Sequence, residues 1–337
     1  MRATGALASA FLAFATLAAQ SDAPALRPFD GFDVIAANGF PFGDAPARRA
    51  LAEAKAIGAR AIAVIPFLWQ SKPDSPDLGR GRDMTDAALR SAIRDAHALG
   101  LSVMVKPQVW VPESWAGAVA MTSNSDWQTW FANYRREIDR IAGIANDEKA
   151  EALALGTELA KTTGQSQWSD LIDRARDHYA GRLLYVAHNV EEAEAITFWE
   201  RLDLIGVTLY PPLGADNDRA GRISIMRTAV DRLDALAKRT GKPLLVAEIG
   251  LRSAVGAAAK PWESAEERDA APDPALQAQV LADWLTVLDR PSIRGVMIWR
   301  WFTNPVAGGL RDTDFTVQGK PAERILFCAF TRSCNFN

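Results

Sequence analysis

The stretch AHALGLSVMVKP, Ala96–Pro107, joins a helix to a strand through a single glycine. Its first residues close an amphipathic helical pattern, Gly100 follows, and an apolar run then leads to Lys106. Glycine is the residue that most often caps the C-terminus of a helix. The stretch KRTGKPLLV, which begins at Lys238, repeats the arrangement. The pattern therefore predicts units in which a helix passes directly into a buried strand.

Apolar runs of strand length recur along the whole chain. They are nearly continuous in apolar residues, which is typical of strands buried on both faces. The predicted strands are Gly31–Ala37, Arg60–Phe67, Leu101–Pro107, Glu151–Glu158, Arg182–Asn189, Leu202–Tyr210, Pro243–Gly250 and Arg294–Trp301. The predicted helices between them are Ala45–Ile57, Thr85–Leu99, Asp126–Asn146, Ser166–Ala180, Glu191–Glu200, Arg222–Arg239 and Pro274–Asp289.

Eight such units favour one α/β domain, a single (β/α)₈ TIM barrel over residues 24–337. The main alternative is a doubly wound open sheet, which usually has a glycine-rich phosphate-binding turn after its first strand. The corresponding stretch here, AANGFPFGD at residues 36–44, does not fit that fingerprint. The barrel is therefore the predicted fold.

The N-terminus, MRATGALASAFLAFATLAAQSDA, has the features of a secretory signal peptide over residues 1–23. A positive residue precedes a short alanine-rich apolar run, which is followed by small residues. An N-terminal anchor is the alternative, although the run is short for a membrane span. The sequence thus predicts an exported protein, periplasmic or extracellular, with no stable membrane span after cleavage.

Composition excludes several classes of function. The net charge is −3, so no electrostatic argument favours a nucleic-acid partner. Only three His and two Cys occur, Cys328 and Cys334, both near the C-terminus. A zinc or binuclear metal site is therefore poorly supported, and no cofactor is predicted. In an oxidising compartment the two cysteines are expected to form a disulfide, with free thiols as the alternative.

Two glutamates lie at the ends of predicted strands four and seven. They are Glu158 in LGTE and Glu248 in VAEIG. In a barrel these strands face each other across the C-terminal mouth, where TIM-barrel enzymes carry their chemistry. A glycosidase needs two such carboxylates, one to protonate the leaving oxygen and one to attack the sugar or to activate water. The structural alternatives are salt bridges of Glu158 to Lys161 or Lys106, and of Glu248 to Arg252.

Other strand ends carry polar or aromatic side chains that are expected to surround a sugar. Tyr210 is predicted to hydrogen-bond the seventh-strand glutamate, and Arg252 to do the same or to be a surface residue. Trp299 and Trp301, which strand alternation places on one side, are predicted stacking platforms together with Trp69 and Trp110. The polar candidates for sugar contact are Gln70, Lys106, His188 and Asn189.

Several longer stretches resemble glycoside hydrolase family 113, a family of β-1,4-mannanases in clan A. They include AHALGLSVMVKPQV, WQTWFANYRREI, LGTELAKTT, WSDLIDRARDHYAGRLLYVAHN, FWERLDLIGVTLYPPL, KPLLVAEIGLRSAVGAAAKPWE and DTDFTVQGKPA, from about residue 62 to 322. The resemblance implies a retaining glycoside hydrolase with Glu158 as acid/base and Glu248 as nucleophile. Glu158 is then expected to have the higher pKa of the two. It also implies that the loop with Asp312 and Asp314 touches substrate; two carboxylates alone are weak evidence for a metal.

The resemblance implies a β-linked mannan or manno-oligosaccharide as substrate. Many clan A enzymes carry Asn directly before the acid/base, where its amide binds the sugar 2-hydroxyl, but this chain has Thr157 there. The 2-hydroxyl contact is then expected from another residue, such as Asn189. Two alternatives therefore remain: the same chemistry on another β-glycan, and a barrel that binds glycan without turnover.

Overall fold

The computed structural model describes residues 26–81 and 84–334. The predicted signal peptide, residues 1–23, lies outside the described residues. Within the described ranges, no helix is both long enough and apolar enough to cross a membrane.

Eight parallel strands close into a barrel in the order β1-β11-β10-β9-β8-β7-β5-β2. Each corresponds to one of the predicted strands, so the (β/α)₈ fold is confirmed. The barrel strands are β1 Gly31–Ile35, β2 Ala61–Val64, β5 Ser102–Val105, β7 Ala152–Thr157, β8 Arg182–His188, β9 Leu204–Leu209, β10 Leu244–Ile249 and β11 Ile293–Phe302.

Helices lie between successive barrel strands and after the last one. They are α1 Ala45–Ala56, α2 Asp86–Ala98, α3 Asn124–Asp147, α4 Gln167–His178, α5 Asn189–Ala195, α6 Arg219–Thr240, α7 Pro274–Val287 and α8 Ala322–Thr331. The predicted helix Glu191–Glu200 is shorter than expected, because Ile196 adopts an extended backbone that ends α5. A separate short turn follows at Trp199–Arg201. Helix α8 was not predicted.

The barrel interior is filled largely by small or unbranched side chains. Ala63, Met104, Ala154 and Ala247 belong to one buried cluster inside the strands. A larger cluster lies between the strands and the helices. Burial of each large apolar side chain contributes about 1.5–3 kcal/mol, so both layers hold the strand ends in place.

A three-stranded sheet that the sequence did not predict stands beside the barrel mouth. Its strands are β3 Phe67–Gln70, β4 Leu78–Arg80 and β6 Gln108–Trp110, in the order β4-β3-β6. β3 follows barrel strand β2, and β6 follows barrel strand β5. The predicted strand Arg60–Phe67 is thus two strands, with its last residue already in the small sheet. Runs of three or four residues give too little periodicity to detect.

The C-terminal tail is fixed by a disulfide between Cys328 of α8 and Cys334. Of the two alternatives, a disulfide or two free thiols, the structure has the disulfide. Between them Arg332 bonds the carboxylate of Asp289 beyond α7, so the tail is anchored to the barrel by a covalent and an ionic link.

Candidate active site

Glu158 and Glu248 both lie at the C-terminal end of the barrel. Glu158 is the first residue after β7, the fourth barrel strand, with a left-handed backbone (φ 55°). Its amide donates to the carbonyl of Val186 on β8. Glu248 is the fifth residue of β10, the seventh barrel strand. The left-handed turn at Glu158 is uncommon for a non-glycine residue, and strained backbone of this kind concentrates at functional sites.

Two groups hold the Glu248 carboxylate. The Tyr210 hydroxyl donates to Oε1 at 2.8 Å, as the sequence predicts. The Lys106 ammonium contacts Oε2 at 2.7 Å. The same ammonium lies 2.7 Å from Asp33 and 3.3 Å from the carbonyl of Ala247. Lys106, whose side chain is fully buried, thus hydrogen-bonds Glu248 and the Ala247 carbonyl and forms an ion pair with Asp33.

Asp33, in the middle of β1, is a member of the site that sequence reasoning missed. Burial and the charge of Glu248 raise its pKa, whereas the Lys106 ammonium lowers it. For Lys106, burial lowers the pKa, but the two carboxylates more than offset this and the net direction is upward. The signal was available, because a carboxylate inside the apolar run GFDVIAA is as costly as one at a strand end. It lies inside a strand, however, and not at a strand end.

Two donors converge on one oxygen of Glu158. The Nδ1 atom of His188 is 2.9 Å from Oε1, and the Thr208 hydroxyl donates to the same atom at 2.6 Å. Thr208, on β9, was also missed by sequence reasoning. Because Oε1 is occupied by both, Oε2 is the oxygen left to face a ligand.

Asn189 determines which nitrogen of His188 carries the proton. Its Oδ1 accepts from the backbone amide of Tyr210 at 2.8 Å, so its amide nitrogen faces Nε2 of His188, at 3.0 Å. An amide N–H donates, so Nε2 accepts and the neutral ring carries its proton on Nδ1, directed at Glu158. One chain of contacts therefore links the two glutamates through His188, Asn189 and Tyr210.

The pKa values of the two glutamates are ordered opposite to the expectation. For Glu158, burial raises the pKa, but the hydrogen bond and charge of His188, with Thr208 and Lys106, lower it below its ordinary value. For Glu248, burial raises the pKa, Lys106 opposes it, and the net direction is upward. The expectation followed from the roles of the two glutamates and did not include their hydrogen-bond partners. The donors around Glu158 favour its ionised form.

His188 titrates together with Glu158. Burial lowers the pKa of the imidazole, whereas the hydrogen bond and charge of Glu158 raise it, and the net direction is upward. Asn189 works against a second ring proton, because a protonated Nε2 would meet its amide N–H. The proton of the Glu158–His188 hydrogen bond therefore lies on Nδ1 of the ring, and the Glu158 carboxylate accepts it.

Aromatic rings line both sides of this cluster. The Lys106 ammonium lies 5.5 Å from the ring centre of Trp299, on β11, so this tryptophan adjoins the Lys106–Glu248 pair. Trp115, which was not predicted, lies with its ring 4.8 Å from that of His188 and is 44% exposed. Trp69 and Trp110 are also exposed, on the small sheet.

Three residues predicted to bind substrate are buried and engaged elsewhere, which corrects those assignments. The Gln70 amide bonds the indole of Trp130 and the carbonyl of Lys72. Trp301 is 1% exposed and donates to the carbonyl of Ala50. The alternation argument fails for Trp301 because the pairing of β1 with β11 shifts register between Asp33–Trp299 and Val34–Trp301.

Arg252 is the third of these corrections. It is fully buried and bonds the carbonyls of Ser264, Arg268 and Thr313. It is therefore neither a partner of Glu248 nor a surface residue; it holds two rim loops together. Such a role depends on contacts distant in sequence, which residue patterns do not reveal.

Both carboxylates of the loop DTDF form ion pairs with basic side chains of the protein. Asp312 contacts the buried ammonium of Lys320 at 2.7 Å, and Asp314 pairs with Arg300. In the described parts of the chain, no group of three or more His, Cys, Asp or Glu side chains could hold a metal ion.

The Thr157 hydroxyl donates to the carbonyl of Pro107 at 3.0 Å and is buried, so it does not face the cleft.

The family model and the most similar solved structures point to the same protein family. The model of Glycoside Hydrolase Family 113 matches residues 32–320. A GH113 β-mannanase, AaManA from Alicyclobacillus acidocaldarius in complex with ManMIm, is 25% identical, with a TM-score of 0.81 over 91% of this chain and 97% of that chain. A GH113 β-1,4-mannanase solved as a complex is 24% identical, with a TM-score of 0.81 over 91% and 99%.

More distant structures share the fold alone. A β-glucuronidase from Ruminococcus gnavus is 12% identical, with a TM-score of 0.62 over 90% of this chain and 50% of that chain. No curated protein matches the chain.

Proposed function

The chain belongs to glycoside hydrolase family 113 and is a glycoside hydrolase, and we propose that it cleaves β-1,4-linked mannans or manno-oligosaccharides with retention of configuration. Glu158 is the acid/base and Glu248 the nucleophile. The observation that carries this assignment is the pair of strand-end glutamates held by different partners within one hydrogen-bond network.

In the first step, Glu248 attacks the anomeric carbon while Glu158 protonates the leaving oxygen. The proton is delivered from Oε2, because Oε1 is occupied by His188 and Thr208. Lys106 and Tyr210 fix the Glu248 carboxylate on both oxygens. A nucleophile that is already oriented loses little entropy in reaching the transition state.

The donors around Glu158 act when that residue loses its proton. As the bond breaks, Glu158 becomes a carboxylate, and the His188 and Thr208 donors stabilise the charge that develops there. In the second step the same carboxylate removes a proton from the attacking water, which releases the sugar from Glu248. The Nδ1 proton of His188 stays on the ring and donates to Oε1 in both steps. The proton that Glu158 gives to the leaving oxygen, and later takes from water, is a separate proton on Oε2.

Family membership and the β-mannanase neighbours favour mannan as substrate. The residues expected to contact the sugar 2-hydroxyl do not decide this, since the Thr157 hydroxyl bonds Pro107 and the Asn189 amide is used by Tyr210 and His188. Another β-glycan is therefore the second candidate. A binding-only barrel is disfavoured, because both carboxylates retain oriented partners.

We also propose that residues 1–23 direct export of the protein. The Cys328–Cys334 disulfide supports this, because disulfides persist in oxidising compartments. The mass of the mature protein recovered from periplasm or medium tests it: loss of the leader supports export, and a full-length protein in the cytoplasm contradicts it.

The proposed activity is tested by reducing-sugar release from mannan, glucomannan, cellulose and xylan. We expect cleavage of the two mannans, loss of cleavage in Glu248→Ala, and normal cleavage in Glu266→Ala, a control at an exposed glutamate. Cleavage confined to cellulose or xylan would keep the mechanism and reject mannan. Binding without cleavage of any polymer would reject the enzymatic assignment of these residues.

A further inference from the structure

The small sheet β4-β3-β6 has one buried and one exposed face. Leu68 and Val109 point to the buried side. Trp69 and Trp110 point to the opposite side and are 45% and 49% exposed. Indole rings carry a large apolar surface, and paired exposed rings are unfavourable in water unless something covers them.

The exposed face presents these rings in one row. Trp69 pairs with Gly79 of β4 on one side and with Trp110 of β6 on the other. Directly paired residues point to the same side of a sheet. The two indole centres are 6.0 Å apart, and Phe67 and Trp110 make a T-shaped contact. Gly79 has no side chain, and a Cβ placed there meets nothing within 4 Å, so Trp69 is open on that side.

A shallow hollow of about 510 Å³ lies against Trp69. Its other walls include Pro112 and the polar side chains of Asp77, Asn133 and Arg136. A flat aromatic face beside a few planar polar groups is suited to a pyranose ring, because the C–H face of the sugar packs on the ring while its hydroxyls take the hydrogen bonds.

The hollow is separate from the catalytic cluster but lies on the same rim of the barrel. The residues that line the hollow include none of the catalytic cluster. Among the described residues, the aromatic partners of Trp69 and Trp110 are each other and Phe67. The segment that leaves Trp110 reaches Trp115, whose ring packs against His188. A chain bound at the catalytic centre can therefore continue along this rim.

We propose, on the basis of the function proposed above, that Trp69, Trp110 and the adjoining hollow form a second binding site for a β-linked hexopyranose chain, distal to the point of cleavage. It holds the polymer by stacking and adds affinity for long chains.

Binding of β-1,4-mannohexaose and cellohexaose, measured by calorimetry in the Glu248→Gln background, tests this site. Trp69→Ala and Trp110→Ala are each expected to lower the affinity for the preferred hexaose about threefold to tenfold. Gly79→Leu, which keeps both rings but covers Trp69, is expected to lower it as well. Phe327→Ala, at a 41% exposed aromatic residue of α8, is the control and should bind normally.

Unchanged affinity in both tryptophan variants and in Gly79→Leu would overturn the distal site, as would a parent that binds neither hexaose. Dissociation of a dimer by Trp69→Ala, seen by sedimentation with binding unchanged, would also overturn it and assign the face to self-association. Hydrolysis of the hexaose by the unsubstituted enzyme is assayed separately. Hydrolysis without tryptophan-dependent binding rejects this site alone; tryptophan-dependent binding without hydrolysis supports the site and rejects the proposed function.

Discussion

The two glutamates occupy the same rim of the barrel but have different electrostatic surroundings. Glu248 contacts a buried cation, Lys106, which it shares with Asp33. Glu158 contacts an imidazole and a hydroxyl, both donating to one oxygen. A nucleophile must stay ionised and oriented, whereas an acid/base must exchange a proton in each step. The two glutamates therefore differ in their partners and not in residue type, and the two roles that we propose are tested against that difference.

The largest expected effect separates the two carboxylates directly. Glu248→Ala should lower kcat/KM at least about 10⁴-fold on every substrate. Glu158→Ala should lower it about 10²–10⁴-fold on natural glycans but much less on a dinitrophenyl glycoside, whose leaving group needs no proton. Steady-state rates on both substrates measure this. An equal fall of kcat/KM in the two variants on the dinitrophenyl glycoside would contradict the assignment of one glutamate as acid/base and the other as nucleophile.

Lys106→Met should have the next largest effect. Without the ammonium, Asp33 and Glu248 face each other with no counter-charge, so the pKa of Glu248 rises and the nucleophile is protonated over more of the pH range. Loss of one partner from a buried ion pair costs about 3–5 kcal/mol, so the melting temperature should fall together with activity. Lys161→Met, at an exposed lysine beside Glu158 in sequence, is the control for both measurements. A Lys106→Met enzyme with normal melting and a normal acid limb would contradict the role of the cation.

Asp33→Asn should have a smaller effect that appears in the pH profile. Among the described residues, the Asp33 carboxylate forms its ion pair with Lys106 and also feels the charge of Glu248. Lys106 in turn contacts Glu248, the Ala247 carbonyl and the Trp299 ring. With Asn at position 33, the ammonium serves Glu248 alone and the pKa of Glu248 falls. The acid limb of kcat/KM, which reports protonation of the nucleophile, should therefore move to lower pH.

Asp30→Asn is the matched control for that experiment. Asp30 is also buried and lies next to β1, at the opposite end from the catalytic rim, where it pairs with Arg27. Its loss should reduce stability without moving the acid limb. A shift of equal size in both variants would mean that Asp33 acts through stability alone.

Much of the fold could be predicted because the barrel strands are long apolar runs and the glycines mark helix ends. The small sheet could not, since β4 and β6 have only three residues each. Trp301 was misplaced because one register shift between β1 and β11 reverses the side that a residue faces.

Part of the candidate site was also readable from strand ends, including Glu158, His188, Tyr210 and Glu248. Asp33 and Thr208 escaped because they lie inside strands β1 and β9 rather than after them. The structural role of Arg252 depends on loop carbonyls up to 61 positions away, which no local pattern encodes.

The smallest expected effect concerns the other limb of the pH profile. Thr208→Val removes one donor that lowers the pKa of Glu158, so that pKa should rise. Because the acid form persists to higher pH when the pKa rises, the alkaline limb of kcat/KM should move to higher pH by a fraction of a unit. Thr157→Val, whose buried hydroxyl bonds Pro107 instead, should leave the limb in place. An unmoved limb in Thr208→Val would show that this hydroxyl does not tune the acid.

The division of roles between the glutamates is tested most directly by trapping the covalent intermediate. The enzyme is incubated with 2-deoxy-2-fluoro-β-mannosyl fluoride, digested, and the modified peptide is sequenced by mass spectrometry. Our account predicts one sugar per chain, attached to Glu248. Attachment to Glu158, or hydrolysis of natural substrate with inverted configuration and no trapped sugar, would contradict it.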